Sequence, residues 1–291
     1  MTATPKISIV TPSYNQGEYL EATIKSVLDQ AYEGLEYVIV DAGSSDRSVD
    51  IIRHYEKRLA YWVSEPDAGH ADGINKGFAR THAGIMGWIN SSDVYYPWTL
   101  KTVVRIFEDL PEVKWISGIP TIVSDGAVPK RIKADHRNQY DFLSGRYNWL
   151  QQESMFWRRG LWDEVGGKLN ANLKYACDFE LWLRFFRKTS LCYVDTILAG
   201  FRTHENQRGA GAVDVYRAEA AQAFAGFRRF YGNRDRLRAN FIRLTNGRQG
   251  RLFRALLRHF GLIRWYAHPQ ILFDFEEKRW VLAKDSGADL F

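Results

Sequence analysis

Cysteine is scarce in this chain of 291 residues: Cys177 and Cys192 are the only two. Two thiols cannot build a disulfide framework or a four-ligand zinc site, which points to a reducing cytoplasm. No uninterrupted apolar run reaches about 18 residues, so no spanning helix is expected. The opening Met-Thr-Ala-Thr-Pro-Lys enters a strand-like run without the basic-then-apolar pattern of a secretory signal. A Gly-x-Gly-x-x-Gly turn is also missing after the first strand, which argues against a dinucleotide-dependent oxidoreductase.

What is present is an ordinary globular composition, 45% hydrophobic and 25% charged. The length fits one large α/β domain with a smaller appendage. Ten tryptophans could line a sugar site or simply fill a core. The net charge of +6 is uneven, because from Phe201 onward 17 Lys/Arg face 9 Asp/Glu. The first 200 residues are slightly acidic by difference, and an anionic partner is to be sought at the tail. No recognition motif accompanies those arginines, so nucleic acid is not expected as a partner.

Strand and helix patterns alternate through the first hundred residues. Strands are predicted at 7–11, 36–40, 61–64 and 85–89, with helices around Leu20–Leu28, after Asp46 and over 71–79. Asp46 fits an N-cap. Crossover helices imply a largely parallel sheet, in which ligands bind outside the carboxyl ends of the strands. The polar loops 12–15, 41–46, 65–70 and 90–93 all follow strands and should gather at that edge. Further strands are predicted at 113–117, 120–123, 153–157, 191–194 and 197–202, with helices near 161–165 and from Asp178 to Phe186. Beyond about Asn206 the pattern turns helical and Arg-rich.

Seven motifs occur in order: Thr-Pro-Ser-Tyr-Asn at 11–15, Val-Asp-Ala-Gly-Ser-Ser-Asp at 40–46, Asn-Lys-Gly at 75–77 and Asn-Ser-Ser-Asp at 90–93. Gln-Gln-Glu-Ser-Met-Phe-Trp-Arg-Arg at 151–159, Asp-Phe-Glu-Leu-Trp-Leu-Arg at 178–184 and Phe-Arg-Thr-His at 201–204 complete the series. Together they resemble the inverting family 2 glycosyltransferases over roughly the first two thirds of the chain. The resemblance implies an α/β GT-A nucleotide-sugar fold, with a central mostly parallel sheet flanked by helices. The catalytic domain would span 1–205, with a nucleotide-sugar half to about 97 and an acceptor half beyond. Residues 206–291 would form a basic helical extension.

The implied reaction transfers a hexosyl or N-acetylhexosaminyl group from a nucleoside diphosphate donor, UDP foremost, to a glycan or polyprenyl-linked saccharide. Bacterial cell-surface polysaccharide is the implied setting. Asp41 would read the base or ribose, framed by Thr11, Pro12, Tyr14 and Asn15, because a carboxylate at a strand end can accept from an imide or hydroxyl. Asp72 and Asn75 would border the donor. Asp93, with His204 as a further contact, would hold Mg²⁺ or Mn²⁺ against the diphosphate. Ser92 stands where relatives carry a second acidic residue, a departure that bears on metal affinity. Gln152, Glu153 and Trp182 would meet the sugar or acceptor. Asp178 would be the base that takes the acceptor proton, while Asp178 as a helix cap and Asp41 as a turn residue are the plain readings beside these.

Residues 248–266 place Leu252, Phe253, Leu256, Leu257, Phe260 and Ile263 at helical spacing, with arginines flanking them. Packing on the domain or in a homodimer explains this pattern. Contact with an anionic membrane at the inner face of the plasma membrane explains it too. A nucleotide-sugar-binding pseudo-transferase is the alternative reading that Ser92 motivates.

Overall fold

The computed structural model describes residues 6–132, 136–145, 150–204 and 211–283. The expected domain boundary at 205 lies outside them. The N-terminal half runs β1 (Ile7–Ser13), α1 (Leu20–Leu28), β2 (Leu35–Asp41), α2 (Ser48–Tyr55), β3 (Tyr61–Ser64), α3 (His70–Phe78) and β4 (Ile85–Trp88). There follow β5 (Val94–Tyr95), α4 (Thr99–Asp109), β6 (Trp115–Ser117), β7 (Thr121–Val123), β8 (Pro129–Ile132), α5 (Gln139–Leu143), β9 (Met155–Arg158) and α6 (Arg159–Glu164). The remainder is α7 (Cys177–Phe186), β10 (Cys192–Val194), β11 (Ala199–Arg202), α8 (Val213–Arg228), α9 (Asn233–Leu244), α10 (Arg248–His259), β12 (Gln270–Asp274) and β13 (Arg279–Leu282).

Nine strands form the central sheet in the order β13-β12-β10-β6-β9-β4-β1-β2-β3. β3, β2, β1 and β4 pair in parallel, so their carboxyl ends share one edge. β9 runs antiparallel between β4 and β6. Strand residues alternate between faces. Ile7, Ile9 and Ile39 pack toward Leu20, Ile24 and Val103 on one side. Val10, Val38 and Val40 pack with Ile74, Phe78 and Leu181 on the other. Both faces are covered, which is why β1 and β2 read as continuous apolar runs. Gly77 lets α3 press directly on β1, since a Cβ there would collide with Val10.

Four features depart from the sequence-based expectation. Residues 99–109, for which no element is expected, form α4, with Leu100, Val103, Ile106 and Phe107 buried. Residues 152–154 make a 3₁₀ turn ahead of β9 instead of extending the strand. Asp178 is the second residue of α7, and Ala176 holds the N-cap position. The tail is not purely helical: β12 and β13 form a hairpin that joins the sheet through β10.

Candidate active site

The four polar loops do meet at the carboxyl edge. Asn15 sits at φ 49°, a left-handed geometry that asparagine tolerates better than most residues. Its backbone N–H donates to Ser44 Oγ at 2.8 Å, and its Oδ1 accepts from the Ser45 N–H at 2.9 Å. Asp46 accepts from the N–H groups of Gly17 and Ser48 at 2.8 and 2.9 Å. It thus ties α1 to α2, although Arg47 takes the N-cap position expected for it. Thr11 and Pro12 are buried under this edge, with Thr11 Oγ1 2.9 Å from the Tyr37 hydroxyl. Tyr14 stands out from it, 60% exposed. An aromatic ring left in water beside a polar loop is the natural platform for a flat base.

Asp41 is fully buried. Its Oδ2 accepts from Ser44 N at 2.9 Å and Ser64 Oγ at 2.7 Å, and its Oδ1 accepts from Ser44 Oγ at 2.6 Å. The carboxylate organises the 41–44 turn and holds β3 to it. Contact with a base requires Ser44 to yield. Asp72 accepts from the Ala68 N–H at 3.0 Å and lies 3.6 Å from Lys76 Nζ. Asn75 clips the 169 loop: Nδ2 donates to the Leu169 carbonyl at 3.0 Å and Oδ1 accepts from the Leu169 N–H at 2.8 Å. That clip closes the 169 loop onto α3, a structural role that leaves Asn75 one further N–H.

The expected sugar contact of Trp182 is corrected by its burial. It is buried and stacked on Trp88 at 5.7 Å with an interplanar angle of 9°. Trp115 and Trp157 complete the cluster. These tryptophans fill the core and offer no face to a sugar. Glu180 grips Arg184 through both oxygens, at 2.9–3.1 Å, and is structural. Gln152 is buried, donating to the Trp88 carbonyl at 2.6 Å.

Three carboxyl groups share the interior below the edge. Asp93 is fully buried, Oδ1 accepting from the Arg202 N–H at 3.0 Å and Oδ2 from Asn90 Nδ2 at 3.0 Å. Burial pushes it above the usual carboxylate range, against these bonds and the Arg202 charge. Glu153 is also fully buried, and neither oxygen makes a hydrogen bond of good geometry. Burial raises it well above the ordinary value, with the Asp93 charge and more weakly the Asp178 charge adding to the rise; Gln151 nearby opposes it without offsetting it. Asp178 is half-buried, reachable by solvent yet deep enough that its carboxyl is pushed up to about 6. The N–H of Phe179, donating to Oδ1 at 2.7 Å, favours the ionised form but does not overcome burial. The helix start therefore tempers the shift and does not set its sign. The charges of Asp93 and Asp178 both reach Glu153, so the loop after β4, the turn before β9 and the start of α7 meet at one site.

Ser92 contributes its carbonyl, which accepts from Arg202 Nε at 2.6 Å. Arg202 also reaches the Asp125 carbonyl and lies over the Tyr19 ring. His204 lies against Tyr19 in a tilted pair, 4.4 Å between centroids, and its buried Nδ1 has no partner. Burial lowers its pKa, favouring the neutral imidazole that a cation requires. Among the described residues no group of three or more His, Cys, Asp and Glu converges on a cation position. One carboxylate and one neutral imidazole fit an ion that brings diphosphate and water as its other ligands, as Mg²⁺ commonly does.

Two residues of the tail belong to the site and carry no motif. Glu219 of α8 accepts from three consecutive N–H groups at the start of α7: Lys174 and Tyr175 at 2.8 Å, Ala176 at 2.9 Å. Tyr216, one turn earlier, feels the Asp178 charge, and burial pushes its phenol far up. Glu219 fixes the turn from which Asp178 projects. Glu219→Ala should cost roughly 2 kcal/mol of stability, since hydrogen bonds to a charged acceptor are lost. It should also lower kcat on the order of ten-fold with little change in donor KM; an unchanged kcat in the folded variant would limit Glu219 to holding the fold.

Comparison with known proteins identifies the family and the fold. The description "Glycosyl transferase family 2" matches residues 8–175, ending three residues before Asp178. An uncharacterized glycosyltransferase of Rickettsia typhi is 26% identical over 71% of this chain and 66% of its own length. The chain thus spans just under two thirds of that relative. A putative teichuronic acid biosynthesis glycosyltransferase of Bacillus subtilis, TuaG, is 31% identical over 69% of this chain and 81% of its own. Among solved structures, S. aureus TarS residues 1–349 with UDP-GlcNAc superposes with a TM-score of 0.63 at 16% identity, covering 82% of this chain and 70% of that one. The Pyrobaculum calidifontis mannosyltransferase PcManGT with GDP-Man and Mn²⁺ gives 0.57 at 17% identity, covering 91% and 83%. The chain belongs to glycosyl transferase family 2 and has the GT-A type of α/β fold.

Proposed function

We propose that this transferase moves a hexosyl or N-acetylhexosaminyl group, with inversion, from a UDP-sugar to a hydroxyl of a glycan or polyprenyl-linked saccharide. The setting is the assembly of a bacterial surface polysaccharide at the cytoplasmic face of the membrane. Teichuronic acid biosynthesis in the name of TuaG and UDP-GlcNAc in the TarS complex support that direction. The observation that carries the reading is the half-buried Asp178, poised near 6 beside the two deeper carboxyls.

Tyr14 receives the base, and the 12–15 and 41–46 loops take the ribose. Asp93 and His204 are the residues that would hold a divalent cation, which would supply neutralisation of the charge on the leaving diphosphate. Arg202 keeps Asp93 oriented. Asp178 Oδ1 is held by the Phe179 N–H, which leaves Oδ2 to receive the proton. As the acceptor oxygen attacks the anomeric carbon, its O–H proton passes to Oδ2. The carbon–oxygen bond to the β-phosphate breaks with its electron pair remaining on the diphosphate. One displacement inverts the configuration. The Ser92 carbonyl accepts from Arg202 and so helps to hold the residue that orients Asp93.

A thermal-shift screen of nucleotide-sugars with and without Mn²⁺ tests the donor assignment. The expected result is a metal-enhanced shift for a UDP-sugar, followed by UDP release when a saccharide acceptor is added. A shift with GDP- or dTDP-sugars alone would move the donor class. No shift with any of them would remove the proposal.

A further inference from the structure

From Arg236 to Tyr266 the chain carries eight arginines and no aspartate or glutamate. The same stretch exposes Leu244, Leu252, Phe253, Leu256, Phe260 and Leu262, each between 48% and 81%. Leu252, Phe253 and Leu256 share one face of α10, and Phe260 and Leu262 continue from its end. The opposite side is already packed. Ile242 of α9, Ile263 and Tyr266 are buried against Tyr140, with Leu257 and Trp265 partly covered around them. Arg254, expected to flank the apolar face, turns inward to the Thr245 carbonyl. Packing on the domain therefore accounts for the inner row alone.

Exposed apolar side chains at this density mark an interaction surface. A second copy of the chain is a poor occupant. A two-fold interface sets a patch against itself, and this one would face arginine with arginine and supply no acid from the stretch. A nucleic acid would meet the arginines but leave the leucines and phenylalanines in water. We infer that α9 and α10 lie on an anionic phospholipid surface, with the apolar row sunk into the headgroup–acyl boundary and the arginines at the lipid phosphates. Arg236, Arg243 and Arg264 are exposed to make those contacts. Apolar burial and attraction to anionic lipid act together in such helices, and neither suffices alone. The inference stands apart from the catalytic reading, because binding to lipid needs neither donor nor acceptor.

Flotation of the full chain with vesicles tests it. The chain should float with phosphatidylcholine vesicles containing phosphatidylglycerol, remain behind with phosphatidylcholine alone, and be released by about 0.5 M salt. Leu256→Asp with Phe260→Asp should weaken flotation at least about ten-fold, while the fold, read by circular dichroism and thermal melting, stays unchanged. Arg236→Glu with Arg243→Glu gives an independent arm with the same expected direction and leaves the apolar row intact. The proposal is overturned if the chain ignores anionic vesicles, if both double variants float as the parent does, or if sedimentation reveals a dimer that Leu256→Asp dissolves.

Discussion

Replacing Asp178 by Asn should lower kcat about a thousand-fold or more and leave donor binding, read by thermal shift, as it was. The amide keeps an oxygen for the Phe179 N–H and removes only the capacity to take a proton. The pH profile gives the same group a second signature. Burial raises the Asp178 carboxyl from the ordinary 3.8 to about 6. The working form is the ionised one, so kcat should be level above that value and fall about ten-fold per pH unit below it. The variant's residual rate should lack this limb. An Asp178→Asn enzyme that keeps both its rate and its acid limb would mean that another group accepts the proton. Glu153 does not fit that role, because it is fully covered and burial disfavours its ionised form.

Asp93→Asn should reduce kcat/KM by about a hundred-fold or more and raise the Mn²⁺ concentration needed for half-maximal turnover. The substitution suits the site sterically. The introduced amide keeps an oxygen that can accept from the Arg202 N–H. The Asn90 amide, whose own Oδ1 is buried without a partner, can flip to accept from the new NH₂ group. Loss of function would then reflect the missing charge and not a disrupted fold. A variant with parental metal dependence would show that the cation is held by other groups, and His204 would need separate testing. Retained stability together with lost metal response is the expected pair of readings.

Legibility from sequence followed the physics of each element. The β1–β4 framework was readable because both sheet faces are buried and crossover helices repeat between the strands. The polar loops could be assigned to one edge by the strand direction alone. Asp93 and Asp178 are singled out by their motifs, yet residue type could not tell a half-buried Asp178 from a covered Asp41. Both are Asp at the end or start of an element, and only packing separates an available oxygen from one used to bind its own turn. Asn75 and Trp182 illustrate the same limit: a clip to Leu169 and a stack on Trp88 are long-range contacts that no local pattern encodes. α4 had the expected spacing of apolar residues and was legible in principle. Glu219 was not, since one acid in an Arg-rich helix carries no mark of the three N–H groups it will meet. The tail hairpin escaped because its short strands follow a strongly helical stretch, and β12 gains its identity from pairing with β10.

The stereochemistry of transfer addresses the proposed chemistry most directly. With an α-linked UDP-sugar that the chain accepts, a single displacement assisted by Asp178 requires that the first product formed carry a β-glycosidic bond, read from the anomeric proton coupling by NMR. An α-linked product would demand two displacements or a front-side path, and would contradict Asp178 as the base of a single in-line transfer.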